Sequence, residues 1–172
     1  MKTVPMRTVV LGLGNEYRRD DGVGHVVARE VAARGAPDVG VYAVDGEPTR
    51  MLDAWDGADL AILIDSAVGD SSRSETVPSG AVHRVESVHR VDSVHRFDSG
   101  DVTLSPGAAT STHGFGLITA LELGRLLDRL PHRWVLYTVD AADVGFGCGL
   151  SRATARAADR VVAAVLEEIA RG

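Results

Sequence analysis

The stretch that decides the fold is TVVLGLGNEYRRDDGVG, residues 8–24. Its first part, Thr8–Leu13, is a short run of β-branched residues and leucine that stops at a glycine, which predicts a buried parallel strand. Valine and alanine then recur at helical spacing over Val23–Ala33, so a helix is predicted there. A buried strand that leads through a glycine-containing turn into a helix is the repeating unit of an α/β fold.

The same alternation continues along the chain. Strands are predicted at 39–44, 60–64, 80–85 and 134–139, and helices at 49–55, 113–127 and 151–170. Thr112 and Ser151 are the expected N-caps of the last two helices. We therefore expect an α/β three-layer sandwich of the phosphorylase/hydrolase-like type, in which helices cover both faces of a mainly parallel twisted sheet of about five strands. The length of 172 residues suits a single domain, residues 1–172.

Composition argues against several classes of function. No apolar run approaches the roughly 18 residues of a membrane span, so no membrane partner is expected. The net charge of −6 disfavours a nucleic-acid partner, since such proteins present a basic patch. The single cysteine, Cys148, rules out an internal disulfide and indicates a reducing compartment, so we expect the cytoplasm.

Three residues are predicted to share the carboxyl edge of the sheet, where ligands bind in such folds. Asp21 lies at the end of the opening motif, Asp65 follows the predicted strand LAILI, and His113 opens a predicted helix. A helix N-terminus favours the neutral imidazole, which is the form that binds metal. Two carboxylates and one imidazole suit a borderline divalent ion and leave positions for a substrate. The sequence therefore predicts an open metal site.

Each of these residues also has a structural interpretation. Asp20 and Asp21 can cap the helix that follows them, although one carboxylate suffices for that. Asp65 can be a hydrogen-bonded turn residue, and His113 a surface histidine. A dinucleotide site is disfavoured, because the third glycine of G-x-G-x-x-G would fall at Tyr17 and because two carboxylates at a helix start repel a pyrophosphate.

No nucleophile is predicted. Ser66 lacks the G-x-S-x-G context of a nucleophilic serine. Cys148 lies in GFGCGLS without an evident histidine base, so we expect it to be buried or without a catalytic role. Covalent catalysis is therefore not expected.

Residues 82–99 consist of one hexapeptide repeated three times, as VHRVES, VHRVDS and VHRFDS. An even period would place His83, His89 and His95 on one face of an extended segment. A three-histidine metal site is one interpretation, but histidines six residues apart on one strand would lie about 20 Å apart, too far to share an ion. We favour a tandem duplication in a surface loop or a long protruding hairpin.

The motifs, taken in order, resemble those of the hydrogenase maturation proteases. G-L-G-N is followed by D-D-G-V-G, then by DG after the second strand, LIDSA at the third, a histidine that opens the next helix, and GLS before the last helix. The resemblance runs through nearly the whole chain. Proteins of that family are endopeptidases that trim the C-terminal extension from the large-subunit precursor of nickel–iron hydrogenases after nickel is inserted.

The resemblance implies a peptidase of the aspartic or metal-assisted type. Carried over residue by residue, it implies that Asp21, Asp65 and His113 bind the metal and act in catalysis. The nickel is then carried by the substrate precursor, and no tightly bound organic cofactor is expected. The implied partner is the hydrogenase large-subunit precursor, onto which the protease would dock as a monomer.

Two departures from the family pattern stand out. The family's D-G-G-T is Asp45-Gly46-Glu47-Pro48 here, and the hexapeptide repeat lengthens the connection before His113. Two other functions stay open. G-L-G-N with a nearby tyrosine also resembles the peptidyl-tRNA hydrolases, which makes a peptidyl-tRNA hydrolase-like esterase one alternative, although the acidic balance opposes tRNA. A non-catalytic metal-binding maturation chaperone on the same fold is the other.

Overall fold

The computed structural model describes residues 6–68, 94–100 and 112–171, and of residues 112–115 the backbone only. The strands are β1 (Thr8–Leu13), β2 (Val39–Val44), β3 (Leu60–Val68), β4 (Val94–Asp98) and β5 (Arg133–Ala141). The helices are α1 (Val23–Ala33), α2 (Pro48–Trp55), α3 (Thr112–Leu126) and α4 (Arg152–Arg171), and a 3₁₀ turn (Arg19–Gly22) precedes α1. The elements predicted within these ranges are all present, with small shifts at most of their ends. No helix in the described parts of the chain has the length and apolar character needed to cross a membrane.

The five strands described form one sheet in the order β2-β1-β3-β5-β4. β1 pairs in parallel with β2 and with β3, and β3 pairs in parallel with β5. β4, at one side of the sheet, runs antiparallel to β5. The predicted mainly parallel sheet is therefore confirmed. The carboxyl ends of β1, β2, β3 and β5 meet at one edge, which is called the carboxyl edge below.

Two apolar clusters fill the space between the sheet and its helices. Successive side chains of a strand point to opposite faces. Leu11 and Leu63 accordingly pack on the side of α2 and α3, whereas Val10 and Ile62 pack on the side of α1 and α4. All four are fully buried, and burying a side chain of this kind contributes about 1.5–3 kcal/mol. Helices thus cover both faces of the sheet, which confirms the three-layer α/β sandwich.

β3 is longer than its sequence pattern predicted. The apolar run ends at Ile64, but the strand continues to Val68 because β5 lies alongside it. In this extension the paired residues run from Asp65 opposite Thr138 to Val68 opposite Ala141. Pairing between β1 and β3 stops at Ile64. Asp65 therefore lies inside a strand, one residue beyond the last pair with β1. The interpretation of Asp65 as a turn residue is wrong.

The last copy of the hexapeptide is a strand of the sheet rather than a loop or a protruding hairpin. His95 Nε2 lies 3.0 Å from a carboxylate oxygen of Asp140 in β5. Arg96 donates to Glu168 in α4 at 2.7 and 3.0 Å. These contacts fasten β4 to its neighbours. The two earlier copies, with His83 and His89, and the predicted strand 80–85 lie outside the described residues.

Candidate active site

The opening motif places Asp21 at the carboxyl edge by folding back on itself. The Asn15 N–H donates to the carbonyl of Asp21, and the Gly14 N–H donates to the carbonyl of Val44 at the end of β2, both at 3.2 Å. Gly14 has a φ of +136°, and a Cβ there would lie 1.9 Å from the Asp21 carbonyl oxygen. Only glycine permits this approach. The glycine that suggested a phosphate-binding turn therefore makes room for the backbone of Asp21.

Asp20 fastens the 3₁₀ turn to the loop between β5 and α4. Its side chain is fully buried and accepts hydrogen bonds from the N–H groups of Ala142 and Asp143 at 2.9 Å each and of Ser151 at 2.6 Å. Burial raises the pKa of Asp20, but the donors from Ser151 and Asp143 outweigh it and hold the pKa below its usual value. The expected capping role is wrong, because α1 begins after Gly22 and no side chain caps it.

Asp21 and Asp65 meet at Ser66. The Ser66 hydroxyl donates to Asp21 Oδ1, and the Ser66 N–H donates to Asp65 Oδ1, both at 2.8 Å. The exposed fractions of Asp21, Asp65 and Ser66 are 5%, 3% and 1%. The three residues lie where β3 and β5 extend beyond β1. The two carboxylates that the sequence predicted are therefore both buried at the carboxyl edge, and each accepts a hydrogen bond from Ser66.

Ser66 is the residue of this site that the sequence pointed to least, since no nucleophile motif surrounds it. The signal that identifies it is the alternation along β3. Ile64 faces α1 and α4, so Ser66, two residues further on, faces the same way, whereas Leu63 and Asp65 face α2 and α3. A polar residue that continues an apolar stripe needs a buried partner. Asp21, at the start of the α1 layer, provides that partner.

The third predicted ligand, His113, lies in the first turn of α3, and its side chain is outside the described residues. The start of α3 is nevertheless close to the carboxyl edge. A Cβ on Gly116 would lie 2.0 Å from the carbonyl oxygen of Gly46, which follows β2. The backbone thus brings this end of the helix to the Asp45-Gly46 turn. The convergence of His113 with Asp21 and Asp65 stays a prediction.

Glu47, the departure from the family's D-G-G-T pattern, is the N-cap of α2. Its carboxylate accepts hydrogen bonds from the hydroxyl and the N–H of Thr49 and from the N–H of Arg50. The Thr49 hydroxyl and these two N–H groups hold the pKa of Glu47 below its usual value. Glu47 has a φ of −72° and a ψ of 121°, which any residue adopts, so this position does not require glycine. The added carboxylate of Glu47 therefore caps the N-terminus of α2.

Two exposed aromatic residues lie on the loops that Asp20 joins. Tyr17, after β1, is 66% exposed, and Phe146, after β5, is 92% exposed. Gly147 connects the loops, since its N–H donates to the Tyr17 carbonyl and its carbonyl accepts from the Arg19 N–H, both at 2.9 Å. Cys148, the next residue, is exposed rather than buried. Loop residues carry no periodic pattern, so the sequence did not point to these aromatic side chains.

Two of the three predicted ligands, the carboxylates of Asp21 and Asp65, belong to the described side chains of the carboxyl edge. Carboxylate oxygens suit a divalent cation. Among the side chains that the structure describes, no group of three or more His, Cys, Asp or Glu residues could hold a metal ion. Asp21 and Asp65 both contact Ser66, the side chain of His113 is outside the described residues, and a shared metal site stays a prediction.

Comparison with known proteins identifies the fold. No protein-family model matches the sequence, and no curated protein sequence matches it. The hydrogenase maturating endopeptidase HybD from E. coli is 19% identical, with a TM-score of 0.72 over 96% of this chain and 93% of that chain. The NiFe hydrogenase maturation protease HybD from Thermococcus kodakarensis is 22% identical, with a TM-score of 0.72 over 95% of this chain and 99% of that chain. The maturation protease HycI from Thermococcus kodakarensis KOD1 is 20% identical, with a TM-score of 0.59 over 97% of this chain and 94% of that chain. At these identities the likeness shows a shared fold over nearly the full length of each chain.

Proposed function

We propose that this chain is an endopeptidase that removes the C-terminal extension of a hydrogenase large-subunit precursor after nickel has been inserted. The observation that carries the proposal is that Asp21 and Asp65 are both buried at the carboxyl edge and both accept a hydrogen bond from Ser66. Buried carboxylates are costly, and such groups cluster at functional sites. The fold is shared with solved structures that are named as hydrogenase maturation endopeptidases.

In this proposal the nickel belongs to the substrate. Asp21, Asp65 and His113 complete the coordination of nickel that the cysteines of the precursor already hold, so cleavage follows only when loading is complete. Carboxylate oxygens and an imidazole nitrogen suit a borderline divalent ion. The protease itself needs no tightly bound organic cofactor.

Peptide hydrolysis requires that water adds to the scissile carbonyl and that a proton reaches the leaving nitrogen. The substrate's nickel, as a Lewis acid, polarises the carbonyl or activates the water. A carboxylate of the Asp21 and Asp65 pair accepts the proton from the water and returns it to the nitrogen as the C–N bond breaks. The reaction is therefore of the aspartic or metal-assisted type.

The setting that we propose is a monomer in the cytoplasm. An exposed thiol such as that of Cys148 persists in a reducing compartment. A monomer leaves the carboxyl edge open to a large protein substrate. The net charge of −6 opposes nucleic acid as a partner.

The test mixes the purified protein with nickel-loaded and nickel-free precursor and weighs the products by mass spectrometry. We expect cleavage of the loaded precursor only. Asp21→Asn, Asp65→Asn and His113→Ala each remove one proposed ligand and should slow cleavage by about 100-fold or more. Asp159→Asn makes the same carboxyl-to-amide change at an exposed position on α4. This control variant should cleave at the wild-type rate.

Four outcomes would contradict the proposal. Equal cleavage of nickel-free precursor would rule out nickel recognition, and full activity of Asp21→Asn would remove that residue from the site. Binding of the loaded precursor without any change in its mass would favour the maturation chaperone. Hydrolysis of a peptidyl-tRNA ester instead of the precursor would favour the esterase.

A further inference from the structure

Ser66 lies between the two carboxylates at a rigid place in the sheet. It pairs with Val139 of β5, and 1% of its surface is exposed. Its neighbours on the same face are apolar and fully buried, Ile64 along the strand and Val139 beside it. A hydroxyl in such surroundings has to be hydrogen-bonded, and its acceptor here is Asp21.

The two donors of Ser66 act on different carboxylates. Ser66 places its O–H on Asp21 and its backbone N–H on Asp65, both at 2.8 Å. Hydrogen bonds to a charged acceptor are about twice as strong as those between neutral groups. Each bond therefore satisfies one carboxylate oxygen and restricts the rotation of one side chain.

We propose that Ser66 is a positioning residue whose hydroxyl holds the carboxylate of Asp21 in one fixed orientation for the substrate's nickel. This inference rests on the proposed function. Residues that orient metal ligands through hydrogen bonds commonly cost about 10–100-fold in affinity or activity when they are changed. The N–H to Asp65 belongs to the backbone of β3, whereas the O–H to Asp21 belongs to the side chain. Substitution of Ser66 should therefore move Asp21 and leave Asp65 in place.

Three substitutions separate the hydroxyl from the bulk of the side chain. Ser66→Ala removes the donor, and Ser66→Cys keeps a similar size with a weak S–H donor. Ser66→Thr keeps the hydroxyl in a strand, where β-branched residues are favoured. We expect the Ala and Cys variants to lower kcat on nickel-loaded precursor by about 10–100-fold, with KM for that precursor nearly unchanged. The melting temperature should fall by a few degrees, because a buried carboxylate loses a donor. The Thr variant should restore most of the rate.

The outcomes distinguish Ser66 from the proposed function as a whole. A wild-type rate in Ser66→Ala or Ser66→Cys overturns the positioning role and leaves the protease function intact. A loss of rate that follows the melting temperature in all three variants, without rescue by Thr, indicates packing alone and also overturns it. If the wild type cuts no precursor, the proposed function fails. In that case crystal structures of the wild type and Ser66→Ala test the positioning role without activity. An unchanged orientation of the Asp21 side chain would overturn that role.

Discussion

At the scale of single residues, Asp20 and Asp21 are neighbours with separate tasks. Asp20 turns to three backbone N–H groups of the loop after β5, whereas Asp21 turns to Ser66. The sequence predicted that one carboxylate would suffice for structure, and the contacts agree with that division. The structural carboxylate braces a loop, however, and caps no helix. Its partner Ser151 lies 131 positions further along the chain, where local patterns carry no information.

Asp20→Asn should loosen the loop between β5 and α4. Asparagine keeps the shape of the side chain, but its NH₂ group takes the place of one carboxylate oxygen. This NH₂ group then points at a backbone N–H, and because both groups are donors the buried hydrogen bond is lost. We expect the free energy of unfolding to fall by about 2–4 kcal/mol at neutral pH, as for a broken buried network. Urea denaturation measures this change. Asp159→Asn, at an exposed position, should leave stability unchanged.

The same variant gives a local measurement at Phe146. This residue is 92% exposed on the braced loop, so chymotrypsin can reach it once the backbone around it opens. We expect Asp20→Asn to be cut after Phe146 faster than the wild type, as followed by mass spectrometry of the digest. Wild-type rates of cutting together with wild-type stability would show that Asp20 does not brace the loop.

At the scale of elements, β4 shows how a repeated peptide becomes an edge strand. Alternation along VHRFDS puts Arg96 and Asp98 on the α4 side, where Arg96 pairs with Glu168 and Asp98 with Arg133. His95 on the other side binds Asp140. Charged side chains on an edge strand also oppose unwanted pairing with other chains. The histidine, arginine and acid that make these contacts are the residue types that all three copies share.

The repeat predicts that β4 tolerates the loss of one arginine. Arg84 and Arg90 correspond to Arg96 in the two earlier copies. If the repeat shifted by six residues against β5, an earlier copy would take the place of the last one, and every side chain would keep its face of the sheet because six is an even number. Arg96→Ala alone should therefore change the melting temperature little. Changing all three arginines to alanine should lower it by about 2–4 °C for each kcal/mol lost. Differential scanning calorimetry makes the comparison.

The matched control is Arg84→Ala with Arg90→Ala, which keeps the arginine of β4 and should melt like the wild type. Equal melting temperatures for Arg96→Ala and the triple variant, both well below the wild type, would show that only the last copy supports β4. A destabilised double variant would instead assign the first two copies a contact of their own.

At the scale of the whole molecule, the alternation of apolar strands with amphipathic helices was sufficient to predict the layers, because each helix buries one face against the sheet and the sheet buries both of its faces. The carboxyl edge followed from the parallel order, and with it the placement of Asp21 and Asp65 at that edge. Three features needed partners distant in sequence. β3 extends past Ile64 only because β5 is there, and β4 exists as a strand only against β5. Ser66 is a polar strand residue of the kind that can equally face solvent, so its buried role depends on where α1 packs.

A charged network at the other end of the sheet joins three elements of the fold. Glu168 of α4 is 3% exposed and accepts from Arg96 of β4 and Arg133 of β5. Asp98 of β4 accepts from Arg133 at 2.6 Å. Burial raises the pKa of Asp98, but the Arg133 guanidinium and the Gly100 N–H outweigh it, so the pKa lies below its usual value. The charge of Asp98 therefore bears on the unfolding of the whole chain.

Asp98→Asn keeps the shape and removes the charge, so its effect should depend on pH. A carboxyl whose pKa is lower in the folded chain than in the unfolded chain, where it is about 3.9, stabilises the fold above that pH and loses this effect as the pH falls through the folded pKa. We expect the free energy of unfolding of the variant to be about 1–2 kcal/mol lower than that of the wild type near neutral pH. The loss is no larger because solvent screens the ion pair at Arg133, whose side chain is 43% exposed. In urea denaturation this difference should hold down to about pH 5 and shrink below about pH 4. A difference that stays constant into acid would mean that Asp98 acts through its shape and not through its charge, and Asp159→Asn should show no difference at any pH.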